Sequence, residues 1–189
     1  MKTAPTAADY GWPTRSALAR PTRVSKTRQW AAHGVALFMS GVFLDSLRFK
    51  FTDAPKTQII FGDLDQWAAG LGLPGLFAHT GLFSQYVIGS AELVASLLLL
   101  TGVFFRRRRF LQPLGAMLGF AIMSGAVSFH LFTPLGVNVA GDGGALFYTA
   151  CAVWVGALGL LVLRRREVGV LRDRLAGFFA ADLTAGAGK

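Results

Sequence analysis

Residues 86–105 read YVIGSAELVASLLLLTGVFF, and four arginines, Arg106–Arg109, follow at once. A helix of that length rises about 30 Å, the thickness of a bilayer's hydrocarbon core. One carboxylate, Glu92, interrupts the run. Three stretches of similar character accompany it: Trp30–Leu47, Leu111–Phe132 and Ala145–Leu163. Of the 189 residues 53% are apolar and only 15% charged, with a mean hydropathy of +0.48. An ordinary soluble domain carries about 25% charged residues. A water-soluble enzyme, a disordered chain and a fibrous protein are thereby excluded. The expected fold is all-α: a membrane four-helix bundle over residues 30–163. A basic tail, 1–29, precedes it and an amphipathic tail, 164–189, follows.

The net charge of +9 is unevenly placed. Lys2, Arg15, Arg20, Arg23, Lys26 and Arg28 precede the first span, and Arg106–Arg109 join the second to the third. Arg164, Arg165, Arg166, Arg172, Arg174 and Lys189 follow the fourth. Only Arg48, Lys50 and Lys56 fall on the other side. Positive charge beside span ends marks the cytoplasmic face. Both termini are therefore expected inside, and the loops 48–85 and 133–144 outside. Topology accounts for the arginine run, so nucleic acid is not an expected partner. The N-terminal stretch has no early apolar core and no small-residue cleavage site after the first span. It reads as a retained tail, made irregular by Pro5, Pro13 and Pro21. Cys151 stands alone in the fourth span, so dithiol exchange is beyond this chain by itself.

Ile60, Leu64, Trp67 and Leu71 recur at helical spacing, with Asp63, Asp65 and Gln66 between them. That spacing predicts an amphipathic helix lying on the outer surface or over the bundle mouth. Gly70, Gly72, Pro74 and Gly75 end it, and Leu76–Gln85 reads as a short re-entrant or interfacial piece. After the fourth span, Val168, Leu171, Leu175 and Phe178 form a stripe among Arg166, Glu167, Arg172 and Arg174. This reads as a surface helix on the cytoplasmic leaflet, with docking of a helix-binding partner protein as the alternative.

Ionisable residues inside a membrane cost several kcal/mol unless paired or hydrated, so each marks a candidate site. At about 100° per residue, Gly34, Gly41, Asp45 and Arg48 share a stripe. Gly89, Glu92 and Ser96 share another, with Glu92 about 9 Å below the outer boundary. Gly115, Gly119, Ala126 and His130 form a third, and Gly115-x-x-x-Gly119 is a close-packing signature. Asp142, Ala145, Thr149, Ala152 and Gly156 form the fourth. The five ionisable residues of these stripes fall toward the outer ends, with Lys50 beside them. The expectation is one outward-facing polar pocket holding Glu92, His130, Asp45, Arg48, Lys50 and Asp142. Gly34, Gly41, Gly115, Gly119 and Gly156 would pack the helices. Plainer roles stand beside this: Asp142 as a helix cap, Asp45–Arg48 as an interfacial ion pair, His130 as an interfacial histidine. Glu92 needs a partner such as Arg48 or Lys50, or a proton. His33, His79 and His130 match neither in spacing nor in depth, so neither haem nor a metal centre is expected.

Between Val42 and Arg165 several short pieces occur in a familiar order: Arg48-Phe-Lys-Phe-Thr52, Leu71-Gly-Leu-Pro-Gly75, Ala91-Glu-Leu93, Phe129-His-Leu131, Gly141-Asp-Gly-Gly144 and Leu146-Phe147. In these the chain resembles the DoxX-like family of small four-span membrane proteins. The resemblance implies a bacterial-type plasma membrane and association with quinone-linked or respiratory redox complexes. It supplies no catalytic residues. The functional expectation is an accessory subunit without independent catalysis, in contact with the bilayer, with other membrane subunits or with a second copy of itself, and with quinone or lipid as bound molecule. A small proton-coupled transporter and a structural scaffold are the alternatives.

Overall fold

The computed structural model describes residues 25–173, apart from the side chain of Arg106. Five α-helices carry the fold: α1 Lys26–Lys50, α2 Pro55–Gly70, α3 Gln85–Phe104, α4 Leu111–Phe132 and α5 Ala145–Leu163. Residues 165–173 are helical too (α6), and single 3-10 turns occupy Arg106–Arg108 and Val139–Gly141. No strand occurs among the described residues.

The helix starts follow local chemistry. Ser25 caps α1 by accepting from the Arg28 N–H at 3.2 Å, so the first helix begins four residues before Trp30. Pro55 opens α2, where its missing N–H costs nothing. Ser84 caps α3 by accepting from the Val87 N–H. The chain enters α5 through Gly143 and Gly144, at φ +64° and +87°, a path that only glycine takes without strain. The bounds of α4 and α5 coincide with the apolar runs.

Helices α1, α3, α4 and α5 are each long and apolar enough to cross a membrane. They pack in a ring: α1 touches α3 and α5, α4 touches the same two, and α1 and α4 barely meet across the diagonal. Contacts between helix ends make the course up-down-up-down. Lys50 at the end of α1 meets Glu92 early in α3, and Arg28 at the start of α1 meets the end of α5. Arg28, Arg107–Arg109 and Arg164–Arg166 therefore collect at one end, the basic end. The α1–α2 turn, α2 and the 133–144 connection cover the other, the loop end.

The core is a column of fully buried side chains, chiefly Met39 and Phe43 of α1, Leu99 of α3, Ala116 of α4, and Val153 and Leu160 of α5. Small residues permit the close approach of α3 and α4. A Cβ on Gly115 would lie 2.9 Å from the Ala95 carbonyl oxygen and 3.0 Å from the Leu99 nitrogen. One on Gly119 would lie 3.0 Å from Met39 Cε. Gly156 has ordinary room, 3.5 Å from Val35. Gly34 and Gly41 face open space. The α1 stripe of Gly34, Gly41, Asp45 and Arg48 thus points away from the bundle, contrary to expectation. Ala32, His33, Ala36, Met39, Ser40, Phe43 and Leu47 are the buried face instead. Large apolar side chains such as Leu37, Phe38, Val94, Leu97, Val155 and Val162 are exposed, as a hydrocarbon solvent permits.

At the loop end α2 seals the mouth. Leu64 and Ala68 pack with Phe77, Leu135 and Val139 as a second apolar cluster. Ile60 and Trp67 flank it, but Leu71 ends the helix at 63% exposure, outside the stripe the spacing predicts. The segment before Gln85 is a series of turns and bends. It tucks Phe77 beneath α2, and the Phe77 N–H donates to Asp65 Oδ1 at 3.0 Å. Beyond α5, Val168 and Leu171 are half-buried. Leu175, Phe178, the C-terminal tail beyond 173 and the prolines of the N-terminal tail lie outside the described residues.

Candidate functional site

Glu92 sits two turns into α3 and is 2% exposed. An unpaired carboxylate there would be strongly disfavoured. Lys50, on the last residue of α1, donates to both of its oxygens at 2.9 Å and also to Ser46 Oγ. Helix geometry makes this possible: Ser46 and Lys50 are four residues apart on one face of α1. Gly89, one turn before Glu92, leaves room for the Lys50 stem and the Phe51 ring, 3.5 and 3.3 Å from its would-be Cβ. Ser96 Oγ returns a bond to the Glu92 carbonyl at 2.9 Å.

Beside this pair lies a second set of polar groups. Asp53, in the α1–α2 turn at φ +52°, is its hub. The left-handed backbone, tolerated by aspartate better than by most residues, turns its carboxylate toward α3. Tyr86 donates to both Asp53 oxygens at 2.8 and 3.0 Å. Gln85 Nε2 donates to Asp53 Oδ1 and, at 2.8 Å, to the Lys50 carbonyl. Gln58 Nε2 donates to Gln85 Oε1 at 2.9 Å and to Asp53 Oδ1 at 3.2 Å. The Tyr86 ring stacks on Phe51 and meets the edge of His79, whose Nε2 lies 3.2 Å from Gln58 Oε1. The network opens on a cleft of about 120 Å³ lined by Gln58, Phe61, Asp65, Phe77, His79 and Gln85.

The residues singled out in the sequence separate in space. Glu92 and Lys50 meet. Asp45 and Arg48 pair with each other at 3.0 Å, both mostly exposed on the outer face of α1. His130 donates from Nδ1 to the Gly136 carbonyl at 2.6 Å and packs its ring against Phe147, which satisfies it locally. Asp142 lies under α2. Its Oδ1 accepts from the Val139 and Gly144 N–H groups, its Oδ2 from Leu146, and Lys56 Nζ stands 3.3 Å away. Burial alone pushes this carboxyl up. The Leu146 and Gly144 N–H groups and the Lys56 ammonium outweigh that effect and hold its pKa below the ordinary carboxylate value. Asp142 therefore does the work of a helix cap, although the helix boundary itself falls at Gly144. None of the six candidates lines the cleft. Asp53, Gln58, Gln85 and Tyr86 were missed because only the fold brings residues about thirty positions apart to one turn.

At the basic end the polar groups are different. Gln112, fully buried, bonds His33 Nδ1 at 3.0 Å, and Gly102 makes room for its stem. Arg28 donates to the Leu163 and Val162 carbonyls that end α5. Between the two ends lies the apolar column of Met39, Phe43, Ala95, Leu99 and Ala116. Along α1 the span from His33 to Lys50 is about 25 Å. Among the described residues no group of three or more His, Cys, Asp or Glu is placed to hold a metal ion. Comparison with protein-family models, with curated proteins and with solved structures finds no match to this chain.

Proposed function

We propose that the protein is a membrane-embedded accessory subunit of a redox complex, related to the DoxX-like proteins it resembles. In this reading its loop end meets the headgroup of a quinone or lipid. The observation that carries it is the Glu92–Lys50 pair, buried in a helix interface and continuous with the Asp53 network. Both carboxylate oxygens are engaged, so the pair fixes the α1–α3 mouth in one geometry. The neighbouring cleft, about 120 Å³, is small beside pockets of about 300–1,000 Å³ that enclose whole ligands. It suits a hydroxyl at the rim, donating to Gln58 Oε1 or His79 Nδ1, while an isoprenoid or acyl tail stays in the bilayer.

The test is purification in mild detergent, with identification of co-purifying proteins and quantitation of extracted quinone. Stoichiometric partners or quinone, reduced in Glu92→Gln and Gln58→Ala variants, are expected. A monodisperse lone protein without quinone would overturn the reading. The apolar column weighs against a proton-coupled carrier, because it interrupts any wet path from Glu92 to the basic end. Proteoliposome flux that depends on Glu92 would reverse that judgement.

A further inference from the structure

Arg164 follows the last residue of α5, and its side chain is 3% exposed. Its Nη1 donates to Glu167 Oε1 at 3.2 Å. Its Nε and Nη2 are buried and have no hydrogen-bond partner among the described residues. Those two N–H groups lie on one edge of the guanidinium and point the same way. They form the fork that receives two oxygens of a carboxylate or phosphate side by side. Arg109, in the α3–α4 connection, also has a buried Nε without a partner among the described residues. Arg28 and Arg109 both lie within electrostatic range of Arg164, and among the described residues Glu167 is the acidic neighbour acting on it. Burial pulls the Arg164 pKa down; Glu167 opposes it, and Arg109 and Arg28 add a smaller downward pull.

Leaving donors of a buried cation unmade is expensive, and a charged arginine cannot shed its proton to escape the cost. Among the described residues, one carboxylate stands against three guanidiniums in this group of Arg164, Arg109, Arg28 and Glu167. An oxyanion between Arg164 and Arg109 would satisfy the free fork and balance the charge. The location narrows its chemistry. The fork lies where α5 emerges from the apolar bundle and α6 begins, the level at which lipid phosphates lie beside a membrane span. The two sets of free donors suit a group with several oxygens better than a single carboxylate.

We propose that the basic end holds a phosphate group in a built site, gripped side-on by Arg164 Nε and Nη2 and supported by Arg109. A phospholipid headgroup and free inorganic phosphate present the same chemistry, and the two are separable. The site is independent of the loop-end reading, because it rests on different residues at the opposite end.

The full-length protein, delipidated in detergent, is titrated with short-chain phosphatidylglycerol, short-chain phosphatidylcholine or inorganic phosphate at constant ionic strength. Bound lipid is counted by native mass spectrometry, and thermal unfolding is followed alongside. Saturable stabilisation by a phosphate-bearing ligand is expected. It should weaken at least about tenfold in Arg164→Lys, which keeps the charge but loses the fork. Arg109→Gln, at a half-buried position, should weaken it too and guards against a fold defect in the first variant. Arg107→Gln, an exposed arginine in the same turn, should leave it unchanged. A response to phosphatidylglycerol above that to inorganic phosphate assigns the site to lipid; an equal response assigns it to soluble phosphate. If none of the three ligands stabilises the protein, or if Arg107→Gln weakens binding as much as Arg164→Lys, the proposal is overturned.

Discussion

At the scale of single residues the Glu92–Lys50 pair gives the sharpest expectation. Removing one partner from a buried pair strands the other, at a cost of about 3–5 kcal/mol. Lys50→Met and Glu92→Leu should each destabilise the bundle by that order. The double variant should recover most of the loss, because two apolar side chains fill the space with no charge to bury. Reversible unfolding in mixed micelles measures all three. Double-variant stability equal to the sum of the single losses would mean that the two groups do not act as a pair. The sequence made Glu92 conspicuous, since a carboxylate inside an apolar run demands a partner, and it offered Arg48 and Lys50. It did not choose between them. Arg48 lies on the open face of α1 with Asp45, and that face became visible only once α3 and α5 were docked. Asp53 was illegible for a related reason: its importance lies in a left-handed turn and in partners from the start of α3.

At the scale of helices, hydropathy located the spans well and oriented them poorly. Apolar runs bounded by arginines, Pro113 or Gly144 leave little freedom in where a helix starts and stops. A span surrounded by lipid is apolar on every side, however, so periodicity does not say which face meets the other helices. Small residues were the substitute guide, and they served on α4 but failed on α1. A direct contrast follows. Gly115→Ala should destabilise the bundle by at least about 1–3 kcal/mol, the range for overpacking, because the new methyl meets α3 backbone. Gly41→Ala should be neutral or stabilising by up to about 1 kcal/mol, since it removes a flexible residue from a helix interior and meets nothing. Thermal midpoints of the two variants, side by side, decide the matter. The docking of α2 carries a pH dependence. The pKa of Asp142 is held below its ordinary value in the folded protein. Its contribution is therefore complete above the ordinary carboxylate range and is lost as pH falls through the lowered folded value. Protection of the α2 amides, taken relative to their intrinsic exchange rates, should stay constant through neutral and mildly acidic pH and fall only in strong acid. In Lys56→Met the loss of protection should begin at higher pH, because one of the groups favouring the charged form is gone.

At the scale of the whole molecule, two polar ends are held apart by a dry column, and an odd number of crossings separates the basic connection from α2. Both features come from the same arrangement: four helices in alternating directions, with one short connection at the basic end, and the long α2-bearing connection and the 133–144 connection at the other. The charge bias predicts which way such a bundle would sit, because basic residues beside span ends resist translocation. Arg107 and Asp63, both exposed, report on the two ends. With Cys151 replaced by alanine, a cysteine at position 63 should react in intact cells with a maleimide that cannot cross membranes. A cysteine at position 107 should react only after the cells are opened. Reversed labelling would keep the fold and invert the assignment of faces, moving the phosphate-binding fork to the outer leaflet and the Asp53 network to the inside. Labelling of both positions from one side would mean that α3 does not cross the bilayer. The ring of four spanning helices, and every inference drawn from its two ends, would then fail together.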